Sequence, residues 1–369
     1  MTTSSPSERP HSVRVAMPIG TLLIRADANA EIGIGHVMRC AALAQAWRDA
    51  GGMVTFALAA GVEELELRLR SEGAGVVRVS SELGGAEDAA ETAALCMKSG
   101  ARWLVLDGYH FSQEYRESVK TGTTRLLLLD DHGECAPYKC DVVLNTNPYA
   151  VDGMYPRRGE QTCFLLGPRY ALLRREFLDF SRRSPDVSTT ATRILITFGG
   201  ADPHNVTLHV LEAFQEISDV RLDITVVVGA SNPHHPSLRE AVAKSSHAAR
   251  LLSNVDNMPE VISHADLAIS AGGGTCYELA FMRVPMFLIT MARNHERTVE
   301  AWGQANAALA AGWFDALGGT SLAEVLRGLI GDSKLRGDMV ENAERLVDGR
   351  GAQRVVETMN TLQQERVTT

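Results

Sequence analysis

The sequence is short of aromatic residues, which make up 6% of its 369 positions, and it carries no excess of positive charge. Thirty-six lysines and arginines stand against 45 aspartates and glutamates, a formal net charge of −9. Such a balance repels nucleic acid and anionic membrane surfaces, so no nucleic-acid partner is expected and an anionic ligand needs a local pocket. Long apolar runs are also missing: none approaches the roughly 18 residues of a membrane span. The first sixteen residues, MTTSSPSERPHSVRVA, have charges and a proline where a secretion signal needs a continuous apolar core. No membrane partner is expected, and the chain reads as cytoplasmic with a disordered leader over 1–19, in which Met17 offers an alternative start. Cysteines are few and scattered, at Cys40, Cys96, Cys135, Cys140, Cys163 and Cys276, which suits a reducing compartment rather than a disulfide framework. Cys135 and Cys140 lie near His132, but the spacing is loose and no second pair follows, so they read as ordinary loop thiols and no metal is expected.

What is present is alternation. The length exceeds what one hydrophobic core organises, so two domains are expected. Apolar runs at Thr21 to Arg25, Met53 to Ala57, Trp103 to Leu106, Arg125 to Leu129 and Asp141 to Leu144 alternate with helical patterns. Their near-continuous apolarity indicates strands covered on both faces, as in a parallel sheet. The segment 181–192, SRRSPDVSTTAT, breaks the rhythm and reads as a linker. Alternation then restarts with RILITFGG, LDITVVVGAS, DLAISAGGGT and MFLITMA. The expected fold is therefore α/β, two doubly wound Rossmann-like domains over 20–180 and 193–332 facing a cleft, followed by a helical tail over 333–369.

Ligands of such sheets gather at the carboxyl ends of the strands, and there the unusual residues fall. They are Gly33 to His36, DGYHF after Leu106, DDHGE after Leu129, NTNPYA after Leu144, GGADPHN after Phe198 and AGGGTCYE after Ser270. His36 opens a helix whose apolar spacing runs through Val37, Cys40, Ala41, Leu43 and Ala44 and stops at Gly51-Gly52. The positive end of the helix dipole disfavours imidazolium there, and a neutral imidazole can take a proton from water. A plain capping role remains open beside that of a base. The run Gly33-Ile-Gly35-His36 fails the dinucleotide fingerprint, because Met38 stands where the third glycine belongs, so no nicotinamide or other cofactor is expected. In the second half, Gly272 to Gly274 expose backbone N–H groups at a helix start, a cradle for a diphosphate, and Glu278 lies one turn on, where a carboxylate can bind ribose hydroxyls. The alternative is a tight turn with Glu278 complementing the dipole.

Other groups carry less. Asp130, Asp131 and His132 follow a strand, yet paired aspartates are common in loops. Asp27 and Asp107 can orient His36 or bond a sugar. Arg25, Arg39, Arg174, Arg293 and Arg297 are candidate phosphate partners, although most such arginines form surface ion pairs. His234 and His235, between prolines, mark an exposed loop.

Taken together and in order, RADANAEIGIGHVMRC, LDGYHF, LLLLDDHGE, DVVLNTNPYA, LLGPRYALLRREF and ILITFGGADPHNVTLHVLEA closely resemble the UDP-2,4-diacetamido-2,4,6-trideoxy-β-L-altropyranose hydrolases of pseudaminic acid biosynthesis. The likeness covers roughly Leu22 to Gly312. The resemblance implies a metal-free GT-B-type fold that removes UDP from the anomeric carbon by attack of water, with C–O cleavage and inversion. It also implies that His36 is the base, that Gly273, Gly274, Thr275 and Glu278 hold the uridine diphosphate, that Tyr109 corresponds to the family's substrate-binding tyrosine, and that Asn294 lies near the sugar. With Arg25, Asp27, Gly35 and Gly200 from the strand-end segments, these form the expected substrate-binding set. The chain departs from the family at His295, where a glutamine is usual, and in its long tail; the first departure leaves the exact sugar open. A UDP-sugar glycosyltransferase on the same scaffold is the nearest rival, and a UDP-binding protein without catalysis is another.

Overall fold

The computed structural model describes residues 19–29, 32–120, 122–156, 159, 161–182, 187–200, 202–229 and 232–365. Met17 and nearly all of the expected leader lie outside the described residues, as does 183–186 within the expected linker. The first sheet comprises β1 (Thr21–Ala26), β2 (Met53–Leu58), β3 (Gly75–Arg78), β4 (Ala101–Asp107), β5 (Arg125–Leu129), β6 (Val142–Asn145) and β7 (Cys163–Leu166). Its helices are α1 (Gly35–Asp49), α2 (Glu63–Ser71), α3 (Ala86–Ser99), α4 (Gln113–Val119) and α5 (Arg175–Leu178). The second sheet comprises β8 (Arg193–Thr197), β9 (Asp223–Val228), β10 (Ala248–Ser253), β11 (Leu267–Ala271), β12 (Met286–Thr290) and β13 (Leu309–Trp313). With it run α6 (Val206–Gln215), α7 (His235–Ala243), α8 (Met258–Ser263), α9 (Thr275–Phe281), α10 (Arg293–Gln304), α11 (Gly319–Gly331), α12 (Ser333–Leu346) and α13 (Gly351–Glu365).

Both sheets are parallel throughout, in the orders β3-β2-β1-β4-β5-β6-β7 and β10-β9-β8-β11-β12-β13. Strands such as β1 and β11 are buried along their whole length because helices cover both faces, which is why they read as unbroken apolar runs. In each sheet the strand order reverses once, between β1 and β4 and between β8 and β11. A crevice opens at each reversal, because the chain leaves the two neighbouring strands in opposite directions. The segments after β1, β4, β8 and β11 border those crevices.

The first core packs Val37, Cys40, Leu43 and the fully buried Trp47 of α1 against β1 and β2. It also takes in Val355, Val356 and Met359 of α13. Each such side chain contributes roughly 1.5–3 kcal/mol by leaving water, so α13 is firmly docked on the first domain. The second core includes Leu322, Leu326 and Leu329 of α11 and Met339 of α12. The segment expected as one tail over 333–369 is therefore divided, α12 packing with the second domain and α13 with the first. Gly351 lets the chain return: a Cβ there would lie 2.1 Å from the carbonyl oxygen of Ala171.

Candidate active site

At the first reversal point, Gly33 takes a left-handed conformation (φ +75°) that turns the chain from β1 into α1. Among the described residues no side chain caps the start of α1. His36 sits in its first turn, and the ring Nδ1 lies 2.6 Å from Asp107 Oδ1, at the carboxyl end of β4. Asp107 is buried and also accepts from Arg39, one turn along α1, through Nε to Oδ2 and Nη2 to Oδ1, both at 2.6 Å. Arg39 reaches on to Asp131, with Nη1 to Oδ1 at 3.1 Å and Nη2 to Oδ2 at 2.9 Å. Tyr109 donates to Asp131 Oδ2 at 3.0 Å and meets the His36 ring edge-on, with centroids 5.1 Å apart.

The proton positions follow from these partners. Burial alone would lift the Asp107 carboxyl, but Arg39 and then His36 outweigh it and hold the group well below the usual carboxylate range. Asp131 is lowered in the same way, burial being overcome by Arg39. Burial and the charge of Asp131 push the Tyr109 phenol up, so it remains a donor. An ionised Asp107 only accepts, and at 2.6 Å it outweighs the Arg39 Nη2 donor 3.3 Å from the same Nδ1, so a neutral His36 ring places its proton on Nδ1 and its lone pair on Nε2. Among the described residues none hydrogen-bonds Nε2, and 12% of the side chain is exposed. One guanidinium faces two carboxylates, so a proton taken up by the ring would neutralise the cluster. This arrangement can hold and deprotonate a water molecule.

Arg25 and Asp27, expected to meet a ligand, lie buried inside the first domain. Arg25 is fully buried, its guanidinium held by Asp88 at 3.1 and 2.7 Å and by Asp27. Asp27, 1% exposed, accepts from the backbone N–H groups of Ala59 and Ala60 at 2.8 and 2.9 Å. These charges tie the end of β1 to α3 and to the loop before α2. Asp130 is likewise occupied, accepting from the backbone of Gly133 at 2.9 Å and from the Tyr138 hydroxyl at 2.7 Å, and so shapes its own turn.

At the second reversal point, a Cβ on Gly272 would lie 2.7 Å from Val299 Cγ2 and 3.0 Å from the His295 carbonyl oxygen, so this glycine lets α10 press against the turn. Among the described residues, nothing fills the space where a Cβ of Gly273 or Gly274 would stand, and no side chain caps α9. Thr275 begins α9, and Glu278 in its first turn accepts from Arg174 Nη2 at 2.8 Å. Burial raises the Glu278 carboxyl, an effect only partly offset by Arg174. Gly35, the first residue of α1, and Gly200, in the loop after β8, are exposed, and the loop after β9 touches Gly200, whose oxygen would lie 2.5 Å from a Cβ on Gly229. Asn294 is exposed in the first turn of α10; beside it, the Nδ1 of His295 is buried with no hydrogen-bond partner among the described residues, and burial pushes that imidazole pKa down.

The carboxyl ends of the two sheets face each other. Tyr277 of α9 donates to the Thr146 carbonyl at 3.2 Å, and Thr298 of α10 to Asn147 Oδ1 at 3.2 Å. The Arg297 guanidinium lies 4.4 Å from the Tyr149 ring centroid. The segment NTNPYA is legible in the sequence as a strand-end loop, but nothing there marks Asn147, Tyr277 or Thr298 as its meeting point with the other domain.

Residues 193–309 match the family described as the Glycosyltransferase family 28 C-terminal domain. The chain is 25% identical over 284 residues to the UDP-2,4-diacetamido-2,4,6-trideoxy-β-L-altropyranose hydrolase of Campylobacter jejuni, covering 75% of this chain and 94% of that one. It is 25% identical over 348 residues to the spore coat polysaccharide biosynthesis protein SpsG of Bacillus subtilis, covering 93% and 99%. A third relative, protein MJ1062 of Methanocaldococcus jannaschii, is 24% identical over 274 residues, 73% of this chain; the chain spans only 55% of that relative's length. Among solved structures, MurG of Acinetobacter baumannii superposes with a TM-score of 0.64 at 13% identity, covering 92% of this chain and 99% of that one. The UDP complex of Staphylococcus aureus MnaA superposes with a TM-score of 0.63 at 12% identity, covering 91% and 94%. The chain thus has the two-domain GT-B fold, and in sequence it resembles the UDP-2,4-diacetamido-2,4,6-trideoxy-β-L-altropyranose hydrolases.

Proposed function

We propose that this protein is a nucleotide-sugar hydrolase that removes UDP from the anomeric carbon of a UDP-linked diacetamido-trideoxy sugar, by water attack with inversion, in the biosynthesis of pseudaminic acid or a related glycan. The observation that carries the reading is the His36–Asp107 pair at the first sheet's reversal point, which leaves Nε2 as the proton acceptor. Water held at Nε2 attacks the anomeric carbon; its proton passes to the ring, and the C–O bond to the diphosphate breaks. Asp107 and Asp131 stabilise the imidazolium that results. Backbone donors of Gly273, Gly274 and Thr275 meet the charge gathering on the leaving diphosphate, an effect that needs no reorganisation. Glu278 binds the ribose, and Tyr109 and Asn294 flank the sugar. General-base assistance by His36 is worth roughly 10²–10⁴-fold. A cytoplasmic location, where UDP-sugars are made, fits this reading, and no helix among the described residues is long and apolar enough to cross a membrane.

The deciding experiment incubates the purified protein with UDP-2,4-diacetamido-2,4,6-trideoxy-β-L-altropyranose in ¹⁸O-water. The expected result is label in the released sugar, with His36→Ala retaining UDP binding and losing turnover. Label in UDP, or full turnover by His36→Ala, overturns the mechanism. The match of 193–309 to the glycosyltransferase family 28 domain favours a second reading, a UDP-sugar glycosyltransferase. Release of UDP strictly dependent on an added acceptor would establish it instead.

A further inference from the structure

Asn147 stands where the two domains meet, and all the hydrogen-bonding capacity of its amide is engaged. It is 8% exposed. On the first domain's side, Nδ2 donates to Asp131 Oδ1 at 3.1 Å and to Asn145 Oδ1 at 2.9 Å. On the other side, Oδ1 accepts from Thr298 of α10 at 3.2 Å and shares the single Tyr277 hydroxyl proton, at 3.3 Å, with the Thr146 carbonyl at 3.2 Å. An amide offers two donors and two acceptor sites, and each of them has a partner here, the one at Tyr277 being shared. No other side chain of this size does the same: aspartate lacks the donors and would set a second carboxylate against Asp131, and leucine offers neither function.

From Asn147 the contacts run without a break to His36. Asp131 binds Arg39, Arg39 binds Asp107, and Asp107 binds His36. In the other direction Tyr277 follows the Gly272–Gly274 turn by three residues, and Thr298 lies one turn beyond Asn294. We propose that Asn147 is a positioning residue that ties the orientation of the His36–Asp107–Arg39–Asp131 chain to the seating of the second domain's glycine turn. The proposal rests on the hydrolase reading for its functional meaning. Its physical content is a rigid amide that fixes the first domain's base relative to the second domain's diphosphate cradle. A displacement of about 1 Å between such groups is enough to cost about 10²-fold in rate.

The test uses full-length protein without substrate and reads the His36 Nδ1–H resonance in ring-¹⁵N-labelled samples. Thr298→Val, a nearly isosteric change in the other domain, and the double variant Tyr277→Phe/Thr298→Val are expected to shift that resonance. Asn147→Leu should shift it too, and in the Asn147→Leu background the second-domain changes should have no further effect. A resonance unmoved by Thr298→Val, or one moved equally in both backgrounds, overturns the proposal. If Asn147→Leu does not fold, Thr298→Val and Asn147→Asp, which keeps the shape of the amide, decide it by the same resonance. A kinetic arm separates positioning from general destabilisation. With UDP-2,4-diacetamido-2,4,6-trideoxy-β-L-altropyranose as substrate, Asn147→Asp should lower kcat about 10²-fold while the Kd for UDP stays within about threefold. A parallel loss of both contradicts it. Should the wild type fail to turn this sugar over, the hydrolase reading falls, and the resonance still decides the role of Asn147.

Discussion

Replacing Asp107 with asparagine perturbs the candidate base without changing its shape. The carboxylate accepts from His36 Nδ1 and twice from Arg39, all at 2.6 Å, and more weakly from Cys40 Sγ at 3.4 Å. An amide has one oxygen, while Arg39 donates to both positions, Nη2 to the one shared with His36 and Nε to the other, so either orientation sets an amide N–H against a guanidinium N–H in a buried site. In the orientation that places the nitrogen on the Oδ1 side, it faces His36 Nδ1. That contact becomes a hydrogen bond only if the ring moves its proton to Nε2, which removes the lone pair from the atom that must receive a proton from water. Wrong-tautomer substitutions of this kind in hydrolytic triads lower kcat by about 10⁴-fold. Here Tyr109 and Asp131 still hold the neighbouring groups, so we expect a loss of about 10³–10⁴-fold, equivalent to roughly 4–5.5 kcal/mol in the barrier. UDP release from the diacetamido-trideoxy nucleotide sugar, followed continuously, gives kcat; calorimetric titration with UDP should show unchanged affinity, and a thermal melt verifies folding. A folded Asp107→Asn enzyme keeping a third or more of the wild-type kcat would refute the argument that this carboxylate sets the tautomer of His36.

Glu278→Ala removes the carboxylate proposed for the ribose; a lost hydrogen bond to a charged group is worth about 1.5–3 kcal/mol, so UDP should bind roughly 10–100-fold more weakly in a calorimetric titration. Gly351→Ala drives a Cβ onto the Ala171 carbonyl and should cost about 1–3 kcal/mol in a thermal or urea melt, whereas Gly328→Ala in α11, where nothing lies within 4 Å, should be neutral or stabilising. Acid should weaken the fold through the buried arginine clusters. Burial alone would raise the Asp88 carboxyl, but Arg25 more than reverses it, so its folded value lies below the ordinary 3.8. Its contribution to stability is then complete above that ordinary value and is lost as the pH falls through the lowered one. Urea midpoints between pH 7 and pH 3 should fall less steeply for Asp88→Asn than for the wild type.

The strands legible in the sequence form a definite set. The runs that read as strands correspond to β1, β2, β4, β5, β6, β8, β9, β11 and β12, which are the interior strands of the two sheets. The four missed, β3, β7, β10 and β13, are the sheet edges. An interior strand is covered by helices on both faces and flanked on both sides, so apolar residues fill it. Edge strands such as β3 and β10 leave many positions open to solvent, and their composition does not separate them from loops. The strand-end segments were also legible, because α/β connections concentrate glycine and polar residues there whatever the ligand.

Sequence alone thus determined the layered parallel architecture, its division into two units and the helix-start position of His36, since each depends on local periodicity and turn chemistry. Tertiary structure alone decided which partner each charged group meets. Asp107, 71 residues from His36, sets the ring's tautomer. Arg25 and Asp27 lie beside the crevice in sequence but are turned inward by Asp88 and by the loop before α2. The final helix returns to the first domain, and Asn147 reaches residues 130 and 151 positions away. Periodicity reports which face of an element is buried; it holds no record of what lies against that face, and the chemistry of a charged side chain depends on that neighbour.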